Sequence, residues 1–432
     1  MFSQEYIKKY QQLNEHFFGL TMQFMRRNYR PNFTYADFGA RFTAEFFDAD
    51  AFAELVKQSG AKYYVFTSKH GEGYTMWPSQ YSFNWNSMDV GPKRDILGEL
   101  KAAFSKPQIK NHVRFGVYYC LYEWLNPLYL KEKQSGFKSR EYPETHVIPQ
   151  VKELVTKYGP EVLWSDCEYE APTDYWNSTG ILAWLHNDSP VKDTVVINDR
   201  WGIGTNGTHG GFFTHYDEYD PGKLEPHKWE QCVPMDYGSW GFRRTMGAAD
   251  VRPLGELIYR LAKTVSCGGN LLLNVGPTHD GRIVPIFEER LRQMGQWIQV
   301  NGEAIYHTKP WVHQNDSLAK DVWYTSRIRK GSVLARKLEP HRLFNPQTND
   351  TVAYAIVLTW PHFGTLKLAA PKYTAKVRAQ MLGHNHHLKV APLPGGGLKI
   401  DLAAIPWHSL PSTTAWAIRL EYLGEDDRDP LQ

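Results

Sequence analysis

Over about 300 residues, short apolar runs alternate with amphipathic segments, and few folds accept that pattern. The runs are AKYYVFTSKH (61–70), RFGVYYCLYEW (114–124), EVLWSD (161–166), TVVINDRW (194–201), WEQCVPM (229–235) and NLLLNVGP (270–277). Segments of helical period lie between several of them: DADAFAELVKQSG (48–60), ILGELKAAFSK (96–106), THVIPQVKELVTKYG (145–159) and PLGELIYRLAKTV (253–265). Strands that alternate with helices build a parallel sheet, and this many units favour an α/β fold of the (β/α) TIM-like barrel type over an open sheet. Six strand candidates are present rather than eight. The opening MFSQEYIKKYQQLNEHFF is polar and helix-like with no strand before it, so the barrel is expected to be incomplete at its N-terminus.

The barrel region closes with the amphipathic helix IFEERLRQMGQWIQVNGEAIY (286–306). Beyond about residue 310 the chain turns β-rich, with VWYTSRI, TVAYAIVLTW, TLKLAA, AKVRAQMLG, GLKIDL and TAWAIRLEYL, and Gly395-Gly396-Gly397 reads as a hairpin tip. This predicts a barrel domain over residues 1–308 and an antiparallel β-sandwich over 309–432.

A net charge of +3 gives no field that would draw nucleic acid or an anionic membrane, and no apolar run is long enough to span a bilayer. The 15 Trp and 25 Tyr suit carbohydrate, whose C–H faces stack on flat rings. Six Asn-X-Ser/Thr sequons, at Asn32, Asn177, Asn187, Asn206, Asn315 and Asn349, favour a secreted or lysosomal protein, although the N-terminus lacks the apolar run of a signal peptide. Cys120, Cys167, Cys232 and Cys267 are widely spaced and read as buried free thiols, neither a zinc site nor a disulfide framework.

Side chains at the C-terminal ends of barrel strands converge on one cavity. The ends here supply Lys69-His70-Gly71-Glu72, Tyr118-Tyr119, Glu123-Trp124, Trp164 with Asp166, and Asn198-Asp199-Arg200-Trp201. Each has a plainer reading: Asp166 as a helix cap, His70 as a structural residue, Asp199-Arg200 as a barrel salt bridge. Glycoside hydrolysis needs two carboxyls, one ionised and one protonated. Asp166, near Arg200 and His70, is the ionised candidate. The proton donor is sought in the acidic loop Thr214–Pro221, for which a solvated surface is the default reading, or at Glu230.

The runs FMRRNYRPNFTYADFGARFTAEFF, NWNSMDVGPKRD, WSDCEYEAPTDYWNST, NDSPVKDTVVINDRWG, PHKWEQC, SWGFRR and GGNLLLNVGPTHDGRIVPIFEERL together resemble animal α-L-fucosidases of glycoside hydrolase family 29, over roughly residues 22–425. The resemblance implies a retaining exo-hydrolase of terminal α-L-fucose on glycans or glycoproteins, using no metal or organic cofactor and often assembled as a homo-oligomer. It implies Asp166 as nucleophile, Asp217 as the preferred acid/base with Glu230 as rival, and His70, Tyr119, Trp164, Arg200 and Trp201 around the sugar. The chain departs from the family pattern in three places. It has no first strand of the form FGIFIHWG, it carries His70-Gly71 where two adjacent His are usual, and Cys167 replaces the small residue after the nucleophile. These departures predict weakened turnover and raise an alternative, an impaired relative that binds fucosylated glycans or a partner.

Overall fold

The computed structural model describes residues 22–332 and 342–432, so the opening helix expected over residues 1–18 lies outside the described residues. Six parallel strands form the first domain: β1 Tyr63–Lys69, β2 Arg114–Cys120, β3 Val162–Asp166, β4 Val196–Ile197, β5 Trp229–Pro234 and β6 Gly269–Asn274. The helices packed around them include α1 Ala49–Gln58, α2 Ile96–Ser105, α3 Ile148–Tyr158, α4 Ser178–Asn187, α5 Leu254–Ser266 and α6 Pro285–Asn301. Local chemistry sets their ends. The Asp48 carboxylate accepts from the Asp50 and Ala51 amides to start α1, and Asp95 accepts from Gly98 to start α2. Gly159 stops α3 in the left-handed conformation.

Strands β1 to β4 pair in sequence order, and β5 pairs with β6. Residues 211–213 join the two blocks. The Gly211 and Phe212 amides donate to the Ile197 carbonyl, Phe213 donates to Lys228, and Glu230 donates back to Phe213. Among the described residues the wall is therefore continuous from β1 round to β6 and open between β6 and β1. Each of those two strands pairs on one side only among the described residues, and none of the cavity-lining Tyr63, Val65, Thr67, Asn270, Leu272 and Asn274 is buried. A cavity of about 1310 Å³ occupies the gap, lined by Tyr63–Thr67, Asn270–Asn274, Phe52 and Leu55 of α1, and Met294 and Ile298 of α6. Among the described residues six strands thus make a (β/α) barrel with one open seam, as the strand count implied.

Among the described residues the second domain is an antiparallel ladder of eight strands: β7 Lys309–Asn315, β8 Val322–Ile328, β9 Thr351–Val357, β10 Thr365–Leu368, β11 Arg378–Met381, β12 His387–Pro392, β13 Leu398–Asp401 and β14 Trp416–Glu421. They run in the order β10-β13-β12-β11-β14-β9-β8-β7 and curl around an apolar interior. The period of two explains why β9 is buried throughout. Ala353, Ala355 and Val357 face that interior, while Val352, Tyr354 and Ile356 pack with Leu257, Leu261, Met294 and Trp297 of α5 and α6. Gly395–Gly397 turns β12 into β13, and all three glycines have φ between 84° and 97°.

One expectation fails. Cys120 and Cys167 form a disulfide, while Cys232 and Cys267 are buried thiols. The pairing was hidden because 47 residues separate the two sulfurs in sequence. Parallel pairing of β2 with β3 sets Cys120 opposite Asp166, next to Cys167.

Candidate active site

Asp166 ends β3 and Tyr118 lies near the end of β2, so neighbouring strands present the two side chains side by side. The Tyr118 hydroxyl donates to Asp166 Oδ2 at 2.5 Å. Burial, followed by the adjacent Asp166 carboxylate, holds the Tyr118 phenol protonated well above its usual range, so it donates its hydrogen bond to Asp166. The other carboxylate oxygen of Asp166 receives Arg200 Nη1 at 2.8 Å.

Arg200 organises the site. Its Nη2 donates to Asp217 Oδ1 at 2.8 Å, its Nε donates to Thr214 at 3.0 Å, and its guanidinium lies 4.8 Å from the Trp164 ring centroid. Burial works against its charge, but the Asp166 and Asp217 carboxylates outweigh that and raise its pKa above the usual guanidinium value. One rigid fork holds both carboxylates, Asp166 on Nη1 and Asp217 on Nη2.

The acidic loop exposes Tyr216, Asp217 and Asp220, but ion pairs pin it in place. Asp217 binds Arg200, Glu218 forms a bidentate pair with Arg252 at 3.0–3.1 Å, and Asp220 binds Lys263 at 2.7 Å. His215 and Glu218 both adopt positive φ, 51° and 56°, turning the chain on either side of Asp217. Asp199 anchors the base of this loop. It does not pair with Arg200; its fully buried carboxylate accepts from the Thr214 amide and hydroxyl and from the amides of His215 and Gly207. Asn198 extends the β3–β4 pairing beyond Ile197 by exchanging hydrogen bonds with the backbone of Ser165.

Glu230 sits elsewhere. It is 2% exposed, and its oxygens accept from the Trp164 indole N–H at 2.8 Å and from the Tyr63 hydroxyl. Burial pushes its carboxyl up to about 7, against the opposing pull of those donors and of Arg200. The cavity that follows the open seam reaches His70, Tyr118, Trp164, Asp166, Arg200 and Asp217, and Glu230 is not among its lining residues.

Two residues expected near the sugar face away from it. Tyr119 is 1% exposed and donates to Gln150 at 2.7 Å, because strand alternation sends it to the helix side while Tyr118 takes the cavity side. Trp201 packs in the barrel core, its indole N–H donating to the Asn198 carbonyl at 3.0 Å. Tyr118 was visible in the sequence as one of two adjacent tyrosines, but which of them pointed inward was not.

His70 is half-exposed on the cavity wall, stacked parallel to Tyr118 at 5.8 Å and 3.7 Å from the Glu72 carboxylate. Burial lowers its pKa, but Glu72 and then Asp166 outweigh it and shift the imidazole upward. Gly71 also has a structural reason. A Cβ there would lie 2.7 Å from the Trp124 ring and 2.8 Å from Tyr122, so aromatic side chains fill the place a second histidine would need. Among the described residues, no group of three or more His, Cys, Asp or Glu is placed to hold a metal ion.

The family model for alpha-L-fucosidase matches residues 1–303, and that for the alpha-L-fucosidase C-terminal domain matches residues 314–421. The chain is 51% identical over 398 residues to an alpha-L-fucosidase of Branchiostoma floridae, covering 92% of this chain and 83% of that one. It is 48% identical over 400 residues to the plasma alpha-L-fucosidase of Homo sapiens, covering 92% and 81%. A solved alpha-L-fucosidase superposes with a TM-score of 0.75 at 29% identity, covering 93% of this chain and 84% of that one. The Thermotoga maritima alpha-fucosidase in complex with fucose gives 0.70 at 28% identity, covering 93% and 85%.

Proposed function

Since the chain belongs to the α-L-fucosidase family of glycoside hydrolases, we propose that it is a retaining exo-hydrolase that releases terminal α-L-fucose from glycoconjugates. The observation that carries this reading is the pair of carboxylates held by one guanidinium, Asp166–Arg200–Asp217, at the mouth of the barrel. In the first step Asp166 attacks the anomeric carbon, giving a covalent fucosyl-enzyme, while Asp217 protonates the departing oxygen. In the second step Asp217 deprotonates water, which displaces Asp166. Tyr118 and Arg200 aim the Asp166 carboxylate and stabilise its charge when it is released. Trp164 and His70 present an aromatic wall and a polar edge to the sugar.

Asp217 is preferred to Glu230 on geometry. A general acid must reach the leaving oxygen, and the Asp217 side chain is 55% exposed, whereas both Glu230 oxygens are engaged beneath Trp164. Glu230 is then a support for Trp164. The similarities favour an active hydrolase over an impaired glycan-binding relative. The same reading divides the chain into a catalytic domain to residue 308 and a sandwich from 309. The plasma name of a relative, the disulfide and the exposed sequons support a secreted or lysosomal glycoprotein. Oligomeric assembly is carried over from the family resemblance alone.

The test is leaving-group dependence in Asp217→Ala. Turnover of 4-nitrophenyl α-L-fucoside is expected to fall about a hundredfold or more, with a smaller loss for α-L-fucosyl fluoride, which needs no proton, and with azide restoring rate. An equal loss on both substrates and no azide rescue would remove Asp217 from the role.

A further inference from the structure

The disulfide lies directly behind the proposed nucleophile. Cys120 is the last residue of β2 and pairs in register with Asp166, while Cys167 is the residue after Asp166. The Leu121 amide donates to the Asp166 carbonyl at 2.9 Å, so the cross-link and a backbone hydrogen bond, both from the end of β2, hold the same peptide. Cys167 Sγ lies 3.9 Å from the Tyr118 hydroxyl, the group that donates to Asp166. Cys167 also has φ 67° and ψ 26°, the left-handed region that residues other than glycine rarely occupy. That conformation turns the chain away from the strand direction, so the Asp166 side chain is left at the strand tip facing the cavity. Both cysteines are buried, at 0% and 3% exposure.

We propose that the Cys120–Cys167 disulfide is a positioning element for Asp166: it holds the left-handed turn that a non-glycine residue resists, fixes the carboxylate against Tyr118, and makes fucoside hydrolysis sensitive to dithiols. This rests on the reading of Asp166 as nucleophile. Reduction balances with one dithiothreitol. One of its thiolates attacks a cysteine sulfur, and the S–S bond breaks to release the other cysteine thiolate, which takes up a proton. The second reagent thiolate then closes the cyclic disulfide and releases the remaining cysteine. The protein gains two electrons and two protons, and the reagent loses them.

The test compares wild type, Cys120→Ser and Cys167→Gly in hydrolysis of 4-nitrophenyl α-L-fucoside and in covalent labelling by 2-deoxy-2-fluoro-α-L-fucosyl fluoride. Cys120→Ser is expected to lower both kcat and the labelling rate constant about tenfold, with KM and the inhibitor's binding constant within about twofold, because misplacing a nucleophile slows attack more than it weakens sugar binding. Cys167→Gly is expected to lose less, since glycine accepts the turn without the cross-link. Dithiothreitol on wild type, followed until titratable thiols rise from two to four, is expected to reproduce the Cys120→Ser loss with an unchanged near-ultraviolet circular dichroism spectrum, and to add nothing to that variant. If Cys120→Ser does not fold, this titration alone decides. An unchanged kcat and labelling rate once the cross-link is gone, or a change in KM alone, overturns the proposal. Peptide mapping separates the two readings. Label on a residue other than Asp166 defeats the nucleophile assignment, whereas label on Asp166 at an unchanged rate defeats only the role of the disulfide.

Discussion

Replacing Glu230 by Gln separates a buried support from a working acid. In the folded chain this carboxyl titrates at about 7 because burial disfavours its charge, whereas an unfolded Glu titrates near 4.3. The folded state therefore binds the proton more tightly than the unfolded state does. Its stabilising contribution is complete below about pH 4 and is lost as pH rises through about 7, a total of about 4 kcal/mol. Gln offers a carbonyl to the Trp164 indole and an amide to the Tyr63 oxygen, and has no charge to bury. The variant is expected to match wild type at pH 5 to within about 1 kcal/mol and to exceed it by about 4 kcal/mol at pH 8.5. Urea unfolding of both proteins across that range gives the difference curve, in which the other titrating groups cancel. On 4-nitrophenyl α-L-fucoside the variant is expected to keep kcat within a few-fold. A flat difference curve would show that Glu230 does not hold its proton in the folded state. A collapse of turnover that spares α-L-fucosyl fluoride would make Glu230 the acid/base and displace Asp217.

Tyr118→Phe removes the donor to Asp166 and is expected to lower kcat roughly ten- to a hundredfold, the cost of one hydrogen bond to a charged group, as read by steady-state kinetics. Asp199→Ala strips the acceptor from three loop amides and the Thr214 hydroxyl; a loss of at least about 3 kcal/mol in chemical unfolding is expected, together with faster proteolysis between residues 205 and 220. Glycopeptide mass spectrometry is expected to find glycan among the exposed sequons Asn32, Asn187, Asn315 and Asn349, and none at Asn206, whose side-chain amide donates to the His215 carbonyl. The apolar seam between β1 and β6 is expected to enhance anilinonaphthalene sulfonate fluorescence in the native protein, and a Met294→Lys substitution to reduce it.

Much of this architecture could be read from the sequence because period and punctuation agree. The six strand runs and their intervening helices appear within a few residues of their expected bounds, and Asp48, Asp95 and Gly159 mark helix ends by their own chemistry. What stayed hidden depends on three-dimensional neighbours. β12 reads His387–Pro392 and is mostly exposed, its apolar alternation resting on Leu388 and Val390 alone. In Tyr118-Tyr119 the strand is certain, but its phase is not until the barrel fixes which side is inward. The acidic loop carries no apolar periodicity, and its order comes from Arg200, Arg252 and Lys263, which are distant in sequence. The disulfide requires knowing that β2 and β3 lie parallel and adjacent. Asp166, by contrast, was legible as a strand-end residue because the apolar run stops at it, although the same pattern reads equally well as a helix cap until the longer family motifs are weighed.

The most direct measurement is hydrolysis of 4-nitrophenyl α-L-fucoside by wild type beside Asp166→Ala, with proton NMR identifying the first-formed anomer of fucose. The account predicts wild-type turnover that yields the α-anomer first, and a loss of at least about a thousandfold in the variant with its cooperative unfolding intact. A variant that turns over like wild type, or a wild type that yields the β-anomer first, would contradict it.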